Sequence, residues 1–431
     1  MHNKLFYLIL VLLLTCSITA ESQKLVNTPY SRFNIGKLEQ QGSFRSSGMG
    51  GMGIALRDNN SIQFSNPASY SSFDTLSFIF DFGLDYSKNV LSKGGNHYFS
   101  DDMNFHHFII GFPITKGWGV AAGVVPFSSG YYNLSDNTTV DDPNYDPKTG
   151  PINITHKGSG GYNTFFVGSG LNITKNISAG INLTVLFGQI ARVNQVTLLA
   201  DNYLFNSRYT ENLSLKGLNF DYGMQYTGKL KDDHFINAGF SYTLGKNYRS
   251  SYDKVNIRDS YFYLPPYSPD TLSYENNKNG KVFLPQTIRI GVAFGKKHLF
   301  LAGIDYLVTN WSKATIPGST GYITDSQSLR FGMEYTPKKF TSTNYISAID
   351  YRLGGHTSNS YLLINGSQLK EYGISFGFGL PMLGTISKAN LYFDYTKRHG
   401  PSASNLPVEN VYSIGLSLNM YDYWFLKRKY D

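Results

Sequence analysis

The 431-residue chain has a single cysteine, Cys16, so no intramolecular disulfide staples it. It is also poor in charge, with 16% Asp, Glu, Lys and Arg against about 25% in an average protein. That scarcity argues against a charge-rich disordered chain, and 33 Tyr with 30 Phe could not stay solvated without collapsing. Beyond the first 20 residues no window offers the roughly 18 consecutive apolar residues that a spanning helix needs. The net charge of +8 is mild, and Lys and Arg are scattered apart from Lys427, Arg428 and Lys429. No basic stripe exists, so nucleic acid is not an expected partner. What remains is a large all-β protein.

The N-terminus gives a compartment. Lys4 precedes an apolar run from Leu5 to Leu14, and small or polar residues lead to Ala20, the pattern of an export signal over 1–20. Cleavage after Ala20 is the expected processing. Lipidation at Cys16 is the alternative, although Thr15 fits that processing poorly.

Alternation is the strongest signal. From Leu76 to Tyr86 the even positions are Leu76, Phe78, Phe80, Phe82, Leu84 and Tyr86, while the odd ones include Ser77, Asp81, Gly83 and Asp85. The same pattern recurs over 218–226, 236–244, 329–335, 372–380 and 412–420. Successive strand side chains point to opposite faces, so one face is apolar and the other wet. The spacing predicts strands over 75–86, 103–112, 117–127, 162–173, 177–188, 215–227, 234–244, 285–295, 298–309, 326–336, 343–353, 371–380, 388–396 and 411–420. Each approaches the 9 to 11 residues with which a tilted strand crosses the hydrocarbon layer. The connections alternate between long (87–102, 128–161, 189–214, 245–284, 310–325, 354–370, 397–410) and short (113–116, 174–176, 228–233, 296–297, 337–342, 381–387). Outer-membrane barrels sort their loops this way. A soluble β protein has no reason to do so and would turn its apolar face inward. The expected fold is therefore a transmembrane antiparallel β-barrel of about fourteen strands over 75–420, with a tail over 421–431. An even strand count returns the chain to its starting side, so both barrel ends are expected in the periplasm.

Residues 21–74 do not alternate and are rich in glycine, with Phe44, Met49, Met52, Ile54 and Phe64 too apolar for a linker. A barrel this wide is not filled by its own side chains, so this segment is expected to fold inward as an N-terminal hatch plugging the lumen. Gly48, Gly50, Gly51 and Gly53 would let it adopt positive φ and move at low steric cost. Pro126 removes a ladder donor and marks a candidate kink in the wall. The inward positions carry charge, including Arg289, Asp305, Arg330, Glu334 and Arg352. A ladder that holds barrel and plug together is one role for them, and an Arg fork gripping a ligand carboxylate is another.

The run Gly48 to Ala55, followed by Asn66, Pro67 and Ala68, resembles the N-terminal hatch of the FadL family of outer-membrane transporters for long-chain fatty acids and other hydrophobic compounds. Val125-Pro126-Phe127, Leu284-Pro285-Gln286, Gly303 to Tyr306, Trp311-Ser312 and the ending Tyr421 to Asp431 look similar to that family as well. The resemblance implies a monomeric, hatch-plugged barrel in the outer membrane that binds a hydrophobic small molecule in its lumen and releases it by movement of the hatch or the lateral wall. The alternative is a FadL-like barrel that no longer transports and serves as an accessory subunit of an outer-membrane protein assembly or secretion complex. Under that reading its partners are other outer-membrane or periplasmic proteins, docked on the loops 128–161 and 245–284 or on the tail. Tyr261, Phe262, Tyr263 and Tyr267 suit such an interface.

Other spellings carry little chemistry. Gly48, Gly50 and Gly53 match a dinucleotide pattern, but no strand precedes them and no helix follows. Gly373, Ser375 and Gly377 spell a nucleophile elbow inside an alternating strand. Asp142, Asn144, Asp146 and Gly150 resemble a calcium loop, with Pro147 and Asn153 at the wrong places. His106 and His107 are adjacent, so they are expected on opposite faces, which would defeat shared metal ligation. No cofactor, no metal and no catalytic residue is expected.

Overall fold

The computed structural model describes residues 28–424 apart from 144, 200–205, 260–269, 318–321, 339–343, 383, 402–403 and 405. The export signal with Cys16, the tyrosine-rich stretch 261–267 and the basic tail lie outside the described residues.

A closed antiparallel barrel of fourteen strands is the dominant feature. The wall runs β2 (Ser77–Lys93), β3 (Asn96–Thr115), β4 (Trp118–Ser129) with its continuation β5 (Tyr132–Asn137), β6 (Ile152–Asn172), β7 (Ile177–Leu198) and β8 (Asn206–Lys229). It goes on through β9 (His234–Thr243) continued by β10 (Lys246–Asp259), and β11 (Asp270–Leu284) continued by β12 (Thr287–Lys296). The circle is completed by β13 (Phe300–Thr309), β14 (Ser326–Tyr335), β15 (Asp350–Ile364), β16 (Ser367–Pro381), β17 (Lys388–His399) and β18 (Val408–Tyr423). Pairing of β18 with β2, from Ser77 opposite Tyr423 to Ser92 opposite Val408, closes it. The preceding β1 (Lys37–Leu38) belongs to the hatch and pairs with β4 at Ser128 and Ser129.

The orientation is that of a membrane barrel. Met224 is 50% exposed while Gln225 beside it is 2% exposed, so the apolar residue faces out and the polar one faces in. Ile290, Val292 and Phe294 on β12 and Ile414, Leu416 and Leu418 on β18 are outward and exposed in the same manner. A soluble core would invert this arrangement.

Two expectations need correction. Much of the predicted long loops is strand: β6 begins at Ile152, β7 runs to Leu198, and β10 and β11 pair from Lys246 opposite Leu284 to Arg258 opposite Asp270. Beyond the lipid both faces of a hairpin meet water, so backbone pairing needs no apolar alternation and leaves no periodic trace. The strand expected over 343–353 starts only at Asp350. Asn344 instead caps a one-turn helix, α2 (Tyr345–Ala348), accepting at its side chain from Ile346 N; α1 is the hatch helix Phe44–Ser47. A local cap outcompeted the alternation there.

The hatch crosses the lumen from end to end. Tyr30 donates its hydroxyl to Pro407 O at 2.5 Å and Ser31 donates to Tyr131 O at 2.7 Å, both acceptors lying among the long connections. The strand ends at Ser77 and Tyr423 lie together at the opposite, short-turn end. Between them Ile35, Phe44, Met49, Met52, Leu56 and Ile62 are fully buried.

Candidate functional site: the stoppered lumen

The hatch is seated on glycines of the wall. Gly119, Gly170, Gly180 and Gly223 lie in register across β4, β6, β7 and β8, beneath the 3-10 helix Pro67–Ser72. A Cβ at Gly170 would strike Pro67 O, and one at Gly180 would meet Ala68 N at 2.6 Å. A second row, Gly303, Gly332 and Gly354 across β13, β14 and β15, faces the hatch from Met49 to Met52. Only an absent side chain lets the two backbones approach so closely. Gly48 abuts Gly377, and Gly50 (φ +67°) and Gly51 (φ +81°) make the left-handed turn that lets the chain reverse against the wall.

Polar anchors reinforce the seating. Asn66 accepts from Ala68 N at 3.2 Å, capping the 3-10 helix, and donates to Ile54 O, Met224 O and Phe240 O at 2.9, 3.2 and 3.3 Å. Pro67 opens that helix and Ala68, its second residue, is fully buried. Asp305 accepts from Gly53 N at 2.6 Å and Ile54 N at 2.9 Å, and Ser375 Oγ accepts from Gly50 N at 2.7 Å. The serine of the elbow spelling therefore holds the hatch backbone.

An ionic cluster locks the short-turn side. Glu334 takes a bidentate fork from Arg45 (2.9 and 2.7 Å) and a further bond from Arg352 Nε at 2.7 Å. Arg45 also pairs with Asp58 of the hatch, and Arg352 with Asp350 at 3.1 Å, which in turn holds Lys388 at 2.6 Å. Burial disfavours the Arg45 charge, but the Glu334 and Asp58 carboxylates override it and hold its pKa above the ordinary arginine value. Burial likewise opposes ionisation of Asp58, and the Arg45 charge overrides it and keeps the carboxyl below its usual range. Arg57, without a carboxylate, is pushed down to about 10 by burial and donates to Ser178, Ser71 and Asn172.

Of the five lumen candidates, Asp305, Glu334 and Arg352 are thus engaged in holding the hatch and wall. Arg289 and Arg330 alone face a cavity of about 370 Å³ on the long-hairpin side of the hatch. A second cavity of about 1140 Å³, lined by Arg57, Asp58, Lys116 and Lys297, lies on the short-turn side and shares no lining residue with the first.

The expectation for the histidines is corrected. A register shift between Gly83 and Leu84 bulges β3, and His106 Nδ1 and His107 Nδ1 face each other at 2.8 Å. Phe44 packs on both rings, and His107 Nε2 lies 3.1 Å from Asp81. An extra residue in one strand cancels the period of two, which adjacency alone cannot reveal.

Pro126 sits where β4 shifts register against β6 and where the wall parts. β3 and β4 pair only from Phe108 opposite Val124 down to Thr115 opposite Trp118. Above that level β4 pairs with β1 of the hatch, Glu39 N donates to Phe127 O at 3.0 Å, and Gln41 donates to Pro126 O at 3.0 Å. The hatch stoppers this seam from inside.

Sequence reasoning missed Arg45, Arg57 and Asp58, whose segment has no period to orient them. It also missed the wall glycine rows, although glycine at inward parity in successive strands was a usable signal.

A fourteen-strand barrel with apolar exterior and N-terminal plug places the protein among membrane barrels of the FadL type. The solved structures agree on the fold: the Pseudomonas putida toluene transporter TodX is 12% identical with a TM-score of 0.57, over 90% of this chain and 100% of that one. A Pseudomonas aeruginosa FadL homologue is 11% identical with a TM-score of 0.56, over 89% and 99%. The Ralstonia pickettii toluene transporter TbuX is 12% identical with a TM-score of 0.53, over 88% and 98%. No curated protein matches the sequence significantly. The BamG family model matches residues 1–431, and the chain belongs to the BamG family.

Proposed function

We propose that the protein is a non-transporting FadL-like barrel of the outer membrane that serves as an accessory subunit of an outer-membrane protein assembly or secretion complex. The observation that carries this reading is the seating of the hatch. It touches both ends of the barrel, is wedged against two glycine rows and is bound through the Arg45–Glu334–Arg352 cluster. The cavity above it is lined by Arg398, His356, Glu371 and Asp394 as well as Arg289 and Arg330. An apolar solute there would desolvate charged groups without replacing their partners. With the lumen closed, the long hairpins β5–β6 and β10–β11 are the surface offered to other proteins.

One observation favours a second reading, a passive uptake channel for hydrophobic compounds. The β3–β4 ladder stops at Phe108 opposite Val124, hatch residues 37–41 bond to β4 above it, and the related folds include proteins named as toluene transporters. Native mass spectrometry of the protein extracted in mild detergent separates the two. Stoichiometric protein partners with no retained acyl chain or hydrocarbon are expected. A solitary barrel that retains an acyl chain, together with saturable uptake of labelled hydrocarbon by reconstituted vesicles, would overturn the subunit reading.

A further inference from the structure

We propose that Arg289 and Arg330 form a binding site for an oxyanion, the carboxylate or phosphate group of a polar ligand, in the cavity above the hatch. The site is independent of whether the barrel transports or docks.

Three other arginines of this lumen are paired with carboxylates, and Arg57 spends its donors on neutral acceptors instead. Arg45 holds Glu334 and Asp58, Arg352 holds Glu334 and Asp350, and Arg398 holds Glu371 at 2.8 Å and Glu409 at 2.6 Å. Each of these three guanidiniums touches two carboxylates, which offset its desolvation, with Glu334 shared by Arg45 and Arg352. Arg289 and Arg330 form no salt bridge among the described residues. Arg289 donates once, from Nη1 to Thr243 Oγ1 at 2.9 Å. Arg330 donates to Gly51 O at 3.1 Å and from Nε to Ser328 Oγ at 3.4 Å. A guanidinium has five N–H donors in a fixed fork, so most of those on this pair point at no protein acceptor.

The two forks converge. Arg289 on β12 lies opposite Leu307 of β13, and Arg330 on β14 lies opposite Asp305, two residues away along the same inward face. Their Cα atoms are one intervening strand and two residues of offset apart, about 12 Å at the usual strand spacing and rise, and both side chains line the one cavity. Arg330 has the Asp305 carboxylate, itself bonded to the hatch amides, as its cross-strand neighbour, and it also meets the like charge of Arg289. An anion between them would relieve that repulsion.

The surroundings add neutral donors. Thr243, Thr287, Thr309 and Ser326 stand in register across β9, β12, β13 and β14 on the rim of the same cavity. A row of hydroxyls beside two unpaired forks suits oxygen-rich anions and not hydrocarbon. The floor is the Gly50–Gly51 turn, whose carbonyl Arg330 already holds, so an occupant would rest on the hatch.

Isothermal titration of the intact protein in a nonionic detergent tests this with three probes: inorganic phosphate, succinate, and dioleoyl phosphatidic acid in micelles. Dioleoylglycerol serves as the uncharged control. Saturable, salt-sensitive binding of at least one anionic probe is expected, and none of the control. Phosphate or succinate binding identifies a soluble ligand, and phosphatidic acid binding alone identifies a lipid headgroup. Arg289→Gln and Arg330→Gln are each expected to weaken binding by at least about tenfold, with the Lys variants intermediate because they keep the charge and lose the fork. Heat-modifiable mobility on electrophoresis checks that each variant is folded. Absence of saturable binding to all three anions in the unmodified protein, or unchanged affinity in a folded Arg289→Gln/Arg330→Gln double variant, would overturn the assignment.

Discussion

Adding one methyl group at Gly354 should loosen the hatch and leave the barrel intact. A Cβ there would lie on Met49 C and Gly50 N and 2.7 Å from Met49 Cα, where 3.4 to 4 Å is ordinary contact. β15 cannot yield, because ladders to β14 and β16 hold it on both sides. The hatch must therefore retreat by about 1 Å from a close-packed seat, an overpacking cost of about 1–3 kcal/mol. Asp305 and Ser375 would then hold Gly53, Ile54 and Gly50 less well. If local opening exposes those amides, Gly354→Ala should raise their hydrogen-exchange rates about 5- to 150-fold. Exchange of β14 and β16 amides is the internal control and should not change. Unaltered exchange over residues 48–56, or acceleration shared equally by the wall, would refute the argument that the glycine row exists to seat the hatch.

Glu334→Gln should be costly, since it leaves Arg45 and Arg352 with one carboxylate each in a buried cluster. A loss of about 3–5 kcal/mol is expected, read as a lower temperature for the heat-induced mobility shift. Asn66→Ala should free the hatch by about 1–3 kcal/mol, seen as faster exchange over residues 60–75 with the barrel still inserted. Asn66→Asp keeps the cap on Ala68 but turns a buried carboxylate on three carbonyls, so it should loosen the hatch at least as much as Asn66→Ala. Acid should loosen the hatch through Asp58. Its pKa is depressed in the folded state, so its stabilising contribution is present above the unfolded carboxyl pKa and is lost as pH falls through the folded value. Proteolysis of the hatch as a function of pH should show this acid sensitivity, and Asp58→Asn should flatten the profile.

Most of the wall is legible in the residue pattern alone. Phe78, Tyr222 and Ile414 were placed outward and Asp81, Asp221 and Arg330 inward by parity alone, because lipid and lumen impose opposite polarity on alternate residues of a strand. Where one constraint disappeared, so did the signal. The hairpins above the membrane have water on both faces, and the bulge at His106 interrupts the period that would have separated the two histidines.

The sequence by itself therefore determined the closed barrel and the sidedness of its strands, since those follow from a local repeat that any one strand displays. Only the tertiary structure decided which lumen charges are paired in the ionic cluster and which have no salt bridge among the described residues. Glu334 and Arg352 look like Arg289 and Arg330 along the chain, and what distinguishes them is a hatch residue, Arg45, nearly 290 positions from Glu334. Charge pairing across a lumen depends on distance through space, and no pattern of neighbours in one strand contains that distance.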